Sequence, residues 1–188
     1  MLNPEFLRGK FQAGYPYDLY VQTGRPDQQE SWKRQHDRVQ TKPDQLSLIG
    51  AFQRELNVLV TSGLWCGDCA AQVPMLDHIS RASRLIQLRI LDRDTHLDVA
   101  EQVRICGGLR VPTVLFLNED FDFLFIGGDK SLSRMRARAR SLGAFCALPN
   151  ATVDSDESAA TLADWVQAFE YAHLVARLSP KLRERHGD

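Results

Sequence analysis

The residues of this 188-residue chain best suited to chemistry are two cysteines three positions apart, in Leu64-Trp65-Cys66-Gly67-Asp68-Cys69. On a helix, side chains at i and i+3 share one face with Cβ atoms about 5–6 Å apart. A small adjustment then brings the sulfurs within disulfide range. If the helix begins near Cys66, that thiol lies among unpaired backbone N–H groups at the positive end of the helix dipole, which favours a thiolate. Cys66 is therefore the expected nucleophile. Cys69, one turn further in, is the expected resolving thiol, which attacks a mixed disulfide on Cys66 from inside. Trp65 is expected to shield the edge of the site, and Gly67 to let another backbone approach. A CxxC can also be half of a zinc site, but such sites bring a second CxxC or a paired histidine cluster. The remaining cysteines, Cys106 and Cys146, stand alone, and His78 and His96 form no evident ligand pair with them. Redox chemistry is the better reading, with no metal.

The elements that must position this pair are legible on either side. Leu56-Asn57-Val58-Leu59-Val60-Thr61-Ser62 is a short apolar and β-branched run that Gly63 closes, which predicts a buried strand. Ala70, Val73, Leu76 and Ile79 recur at spacings of three, which predicts a helix. Leu85 through Leu91 predicts a second strand, so the active-site helix becomes the crossover of a right-handed βαβ unit. That places the cysteines at the carboxyl end of the first strand, where open α/β sheets carry their chemistry. A second anchor is Gly107-Gly108-Leu109-Arg110-Val111-Pro112-Thr113, followed by the strand-like Val114-Leu115-Phe116-Leu117. A proline opening an apolar strand needs an edge, a bulge or a cis bond.

With both anchors in place the chain resembles the thioredoxin superfamily over about residues 43 to 143. Trp65-Cys66-Gly67-Asp68-Cys69 resembles that family's WCxxC site. Pro74 falls where the family kinks its active-site helix, Val111-Pro112-Thr113 resembles its cis-proline loop, and Gly127 matches a family glycine. The resemblance implies a thioredoxin-like α/β fold, a mixed central sheet with helices on both faces, and a cis Val111–Pro112 bond beside the cysteines. It also implies a substrate groove lined by Trp65, Gly67, Asp68, Val111 and Pro112. Three departures stand out. The family usually has Gly-Pro between the cysteines, where this chain has Gly67-Asp68. Val60 occupies the place of a buried aspartate thought to manage the second thiol's proton, and Arg110 replaces a small glycine.

Composition fits a soluble globular protein, 44% hydrophobic and 25% charged. A net charge of -1 gives no bulk reason to bind nucleic acid or an acidic membrane surface. The N-terminus opens no apolar signal segment and no run approaches about 18 apolar residues, so a cytoplasmic location is expected. Asn150-Ala151-Thr152 is formally a glycosylation sequon, read here as chance.

Residues 1–42 are expected to form an N-terminal extension packing on the core, and residues 43–188 the thioredoxin-like domain with a C-terminal helix. Pro4–Phe11 permits a short helix, Tyr15–Val21 permits helix or strand, and Pro26–Val39 predicts a helix with Trp32 on its apolar stripe. Pro43 through Arg54 predicts another. His96–Ile105 predicts a short helix that Gly107-Gly108 stops, with Cys106 as an inert small hydrophobe at that stop. Val111–Leu117 and Phe121–Ile126 predict an antiparallel hairpin, so the sheet is mixed. Ser131 can cap a helix bearing Arg134, Arg136, Arg138 and Arg140, which spread round it as a solvated face. Asp154–Glu157 opens a long helix with Leu162, Trp165, Val166, Phe169, Ala172 and Val175 buried. The tail after Pro180 is expected to fray.

The function expected is thiol-disulfide exchange with protein or small-molecule disulfides through a dithiol/disulfide cycle. No bound cofactor is expected, and a thioredoxin reductase or a low-molecular-weight thiol would return electrons. A redox-sensing binding module without turnover is the alternative.

Overall fold

A computed structural model describes residues 2–143 and 151–187. Cys146 and the Asn150 sequon lie outside the described residues. The sheet has four strands, β1 (Leu56–Ser62), β2 (Ile86–Asp92), β3 (Thr113–Leu117) and β4 (Phe123–Gly127), in the order β2-β1-β3-β4. β1 runs parallel to β2 and antiparallel to β3, and β4 is antiparallel to β3, so the sheet is mixed as expected. β1 is buried along its whole length, since both its faces are covered. That explains why its sequence is a continuous apolar run instead of an alternating one.

Alternate β1 side chains feed two cores. Leu56, Val58 and Val60 join the larger one, packed by α3 (Pro26–His36), α5 (Gly67–Arg81) and α8 (Glu157–Arg177). Leu59, with Leu91, Leu115 and Leu117, faces the other side, where Leu7 and Phe11 of α1 (Pro4–Ala13) close the core. Asn3 caps α1 by accepting from the Phe6 N–H at 2.8 Å, and Pro4 sits in the first turn, where its missing N–H costs nothing. Ahead of α3 and α4 (Pro43–Gly50), Gln28 and Gln45 reach back to the N–H groups of Arg25 and Lys42.

The first 42 residues are woven into this core. Tyr20, on α2 (Tyr17–Gln22), and Trp32 are almost wholly buried in the larger cluster. Tyr15 exchanges both backbone hydrogen bonds with Ile90, at 2.9 and 2.8 Å, and so covers the outer edge of β2.

Several local expectations change in three dimensions. The helix from Pro43 ends at Gly50, and Arg54 is instead buried in an ion pair with Glu119. The helix before Cys106 shrinks to α6 (Leu97–Ala100) and one 3₁₀ turn, Glu101–Val103. A tight turn follows in which Ile105 and Gly108 exchange backbone hydrogen bonds at 3.0 Å, with Cys106 and Gly107 both at positive φ. Two positive-φ residues between bridged neighbours make a tight turn of the hairpin type, which leaves Cys106 exposed at its tip instead of buried. In α8, Ala176 is buried and Val175 only partly so. The tail does not fray: α9 (Pro180–His186) buries Leu182, and Arg185 and His186 reach Asp120.

Candidate functional site

Cys66 is the N-cap residue of α5, with extended backbone angles, and its carbonyl accepts the first helical bond from the Ala70 N–H at 3.0 Å. Its thiol is half-buried and lies 3.6 Å from the Val111 carbonyl oxygen. Cys69, in the first turn of α5, is fully buried. Both thiols are free. The Val111–Pro112 peptide is cis, and the turn it makes brings the Val111 carbonyl over Cys66. The Thr113 hydroxyl steadies that turn by donating to the Arg110 carbonyl at 2.8 Å.

This placement separates the two thiols chemically. The Cys66 pKa is brought down to about 6, chiefly by a hydrogen bond from the Cys69 thiol; burial and the Asp68 charge oppose the shift, and the backbone N–H groups of Cys69 and Asp68 assist it. Burial drives the Cys69 thiol strongly upward, and the neighbouring Cys66 adds to that. Cys66 thus carries the charge while Cys69 holds its proton. The rate of Cys66 with a disulfide probe such as 4,4′-dithiodipyridine is expected to rise through pH 6 and level off above it. At pH 5 its thiolate fraction exceeds that of a model thiol of pKa about 8.5 by roughly 300-fold. Lower basicity returns about tenfold of that, leaving an advantage of about 20- to 30-fold. A titration midpoint near 8.5 would overturn the assignment.

The residues around the pair differ in what they contribute. Trp65 is 53% exposed and carries the Arg93 guanidinium 4.7 Å above its ring. Arg93 also donates to the Leu109 carbonyl at 3.2 Å, and so ties the tryptophan to the loop that leads into Pro112. A Cβ on Gly63 would lie 2.6 Å from the Trp65 ring, so the close approach of indole and backbone requires glycine there. Among the described residues nothing outside the local helix backbone lies within 4 Å of where a Cβ on Gly67 would sit, so the space beside it is open.

Asp68 is not a free surface carboxylate. It is partly buried, with Oδ2 2.8 Å from Lys130 Nζ and Oδ1 2.8 Å from Arg134 Nη2. Burial raises its pKa, but the two cations outweigh this and hold it below the usual carboxylate range. The Asp68 charge facing Cys66 is thus largely compensated. Replacing Asp68 by Asn is expected to lower the Cys66 pKa, because one repulsive charge disappears while Lys130 and Arg134 stay in place, held by Asp129 and Glu157. At an effective dielectric of about 20–80 and a separation of about 6 Å, one charge is worth roughly 0.7–3 kcal/mol, or about 0.5–2 pKa units. The same pH titration on the Asp68→Asn protein measures this, and an unchanged midpoint at low salt would make Asp68 a purely structural residue.

Lys130 and Arg134 escaped the sequence reading because their link to the site is long-range; an arginine spread evenly round a helix gives no local sign that it points at a distant carboxylate. The loop that carries Lys130 is fixed by Gln72, a fully buried residue of α5. Its Nε2 donates to the Asp129 carbonyl at 2.9 Å, and its Oε1 accepts from the Ser131 N–H and from Trp165 Nε1, both at 3.2 Å. Trp165 in turn lies against Gly127, where a Cβ would be 2.9 Å from its ring. Arg110 is half-exposed and pairs at 3.7 Å with Asp129. Among the described residues no group of three or more His, Cys, Asp or Glu side chains is arranged to hold a metal ion, and no helix is long and apolar enough to cross a membrane.

Comparison with known proteins agrees with this architecture. A crystal structure of a protein of unknown function from Pseudomonas aeruginosa superposes with a TM-score of 0.69 at 22% identity, over 86% of this chain and 95% of that one. An HIV epitope scaffold superposes with a TM-score of 0.60 at 19% identity, over 96% of this chain and 98% of that one. At these identities the likeness is one of fold. A comparison with curated proteins finds no match. The sequence profile described as Thioredoxin matches residues 14–130, a span that holds both cysteines and the cis proline and runs back into the N-terminal helices. The chain belongs to the thioredoxin family.

Proposed function

We propose that this protein is a thiol-disulfide oxidoreductase that reduces protein or small-molecule disulfides. The observation that carries the reading is the division of labour between an accessible Cys66 with a pKa of about 6 and a fully buried, protonated Cys69 one turn behind it. The Cys66 thiolate attacks one sulfur of the client disulfide, the client S–S bond breaks, and the first client thiolate leaves. Cys69 then attacks Cys66, the mixed disulfide breaks, and the second client thiolate leaves, with Cys66–Cys69 oxidised. The open space beside Gly67 and the outward face of the Val111–Pro112 turn suit an extended client segment, with Trp65 at its border. Electrons return from an NADPH-dependent thioredoxin reductase or from a low-molecular-weight thiol, and the cycle belongs in a reducing compartment such as the cytoplasm. No bound cofactor enters the scheme.

Reduction of insulin disulfides by dithiothreitol tests the reading. Catalytic amounts of the protein are expected to accelerate insulin precipitation, and Cys66→Ser is expected to abolish the effect. If the parent protein forms the Cys66–Cys69 disulfide yet accelerates nothing, the alternative of a redox-sensing binding module takes its place.

A further inference from the structure

The sheet has two edges, and they are treated differently. Tyr15 bonds the outer edge of β2. At the other edge, among the described residues, β4 pairs with β3 alone, and no backbone group of Phe123–Gly127 is bonded outside the sheet. Natural edge strands are guarded by a charge, a proline, a covering segment or a bulge. β4 has only the last, one extra residue between Phe123 and Phe125. Its sequence, Phe123-Leu124-Phe125-Ile126-Gly127, is wholly apolar, and none of its residues is buried.

Beside this edge, α8 carries a second apolar stripe. Its first, which includes Leu162, Trp165, Phe169 and Ala172, is buried in the larger core. Tyr171, Leu174 and Leu178 are spaced three and four apart, as in the seam of a helix pair, and are exposed to 58, 44 and 70%. A helix that packs on one core needs only the first stripe. α8 lies across β3 and β4: Phe169 meets Phe116 edge-on at 5.0 Å, Tyr171 meets Phe125 edge-on at 5.1 Å, and Trp165 lies against Gly127. On the other face of the sheet, Phe123 and Ile126, opposite Leu117 and Leu115, are 41 and 38% exposed. The five exposed side chains amount to roughly 400–500 Å² of apolar surface, a large patch for a monomer. With the strand edge and a polar rim the contact approaches the ~800 Å² that each partner gives to a stable pair.

We propose that this surface is the interface of a twofold homodimer, in which β4 pairs antiparallel with β4 of a second copy and the two α8 helices pack across the joint. A twofold axis normal to the sheet joins two like edges antiparallel and keeps the same face of the sheet uppermost in both copies. Neighbouring strands lie about 4.8 Å apart, and α8 sits over the gap between β3 and β4. The two α8 axes therefore come to lie about two strand spacings apart, roughly 10 Å, which is a normal helix packing distance. Tyr171 then packs beside Leu174 across the axis, while Phe123 and Ile126 close the joint on the other face. Any other occupant would have to bring a free strand and an apolar helix at this same offset; a second copy carries both. β3 and β1 separate the joint from Cys66, and the twofold sends the two thiol sites to opposite ends of the joined sheet. The dimer stands independently of the oxidoreductase reading.

Sedimentation velocity of the full chain between about 1 and 100 µM, a span that brackets dimers of ordinary strength, is expected to show the mass rising from 21.3 kDa towards twice that value. Ile126→Lys on β4 and Leu174→Arg on α8 each place a charge near the axis, where it loses water and meets its own copy. Each is expected to weaken the dimer at least about a hundredfold. Both side chains are already exposed, so the variants should keep the parent's far-ultraviolet circular dichroism and its rate with insulin. Hydrogen exchange in the parent, which needs no substitution, reports on the strand itself. The alternate β4 amides that point away from β3 are expected to exchange at least about tenfold more slowly in the concentrated sample, and to stay fast in both variants. A parent that is monomeric at about 100 µM overturns the proposal and leaves the surface to another occupant. A dimer that either folded variant retains overturns it as well, as does one whose β4 amides exchange alike at both concentrations.

Discussion

Cys69→Ser is expected to reduce turnover of a disulfide client by at least about a thousandfold and to convert the protein into a stable covalent adduct. The first step needs only Cys66, whose thiolate is populated at neutral pH, so the attack goes ahead. The second step loses its nucleophile. A well-oriented intramolecular group reaches effective molarities of about 10⁵–10⁸ M, and a heavily discounted value still exceeds any millimolar external thiol. The adduct accumulates as one client per protein and is read by intact mass. Cys66→Ser forms none, because the remaining thiol of the pair is buried and protonated. A Cys69→Ser protein that turns over like the parent would show that an external thiol resolves the adduct and that Cys69 has another purpose.

Trp32→Ala is expected to be the most damaging substitution outside the cysteine pair. Trp32 is fully buried between α2 and α5, meets the Tyr20 ring edge-on and lies 6.1 Å from Tyr17. Its indole N–H donates to the Leu64 carbonyl at 3.2 Å, two residues before Cys66. Truncating a buried tryptophan costs about 3–5 kcal/mol from lost burial and the cavity left behind. In a chain of this length that lowers the melting temperature by roughly 6–20 °C. Trp32→Phe keeps most of the ring volume but leaves the Leu64 carbonyl without its donor, for a loss of about 1–3 kcal/mol. Thermal denaturation followed by far-ultraviolet circular dichroism measures both. A Trp32→Ala protein that melts within 2 °C of the parent, a margin of about 1 kcal/mol or less, would make the first 42 residues a peripheral cover instead of part of the core.

How far the sequence could be read depended on the range of the interaction. The bounds of β1 follow from a run of apolar residues that Gly63 closes, and α5 follows from apolar spacing within itself, so both are visible in a short window. The proline at the start of an apolar strand left an edge, a bulge or a cis bond open, and the resemblance to thioredoxins selected the cis bond that the structure has. The clamp on Asp68 was not legible, because Lys130 and Arg134 lie 62 and 66 positions further on and reach it only after β4 and α7 (Leu132–Ser141) are in place. Polar α9 read as a fraying tail because its anchor, Leu182, is a single apolar residue. Charges on a distant loop, Asp120 among them, supply the rest.

The Gln72 amide has a mechanical consequence. It fastens the Asp129–Ser131 loop and the Trp165 indole to the same helix that bears both cysteines. Lys130, which helps set the charge at Asp68, is thereby mounted on the frame that holds the thiols, and bending of the surrounding surface carries sulfur, carboxylate and ammonium along together. The charge that opposes the Cys66 thiolate and one cation that offsets it are therefore fixed relative to the same helix.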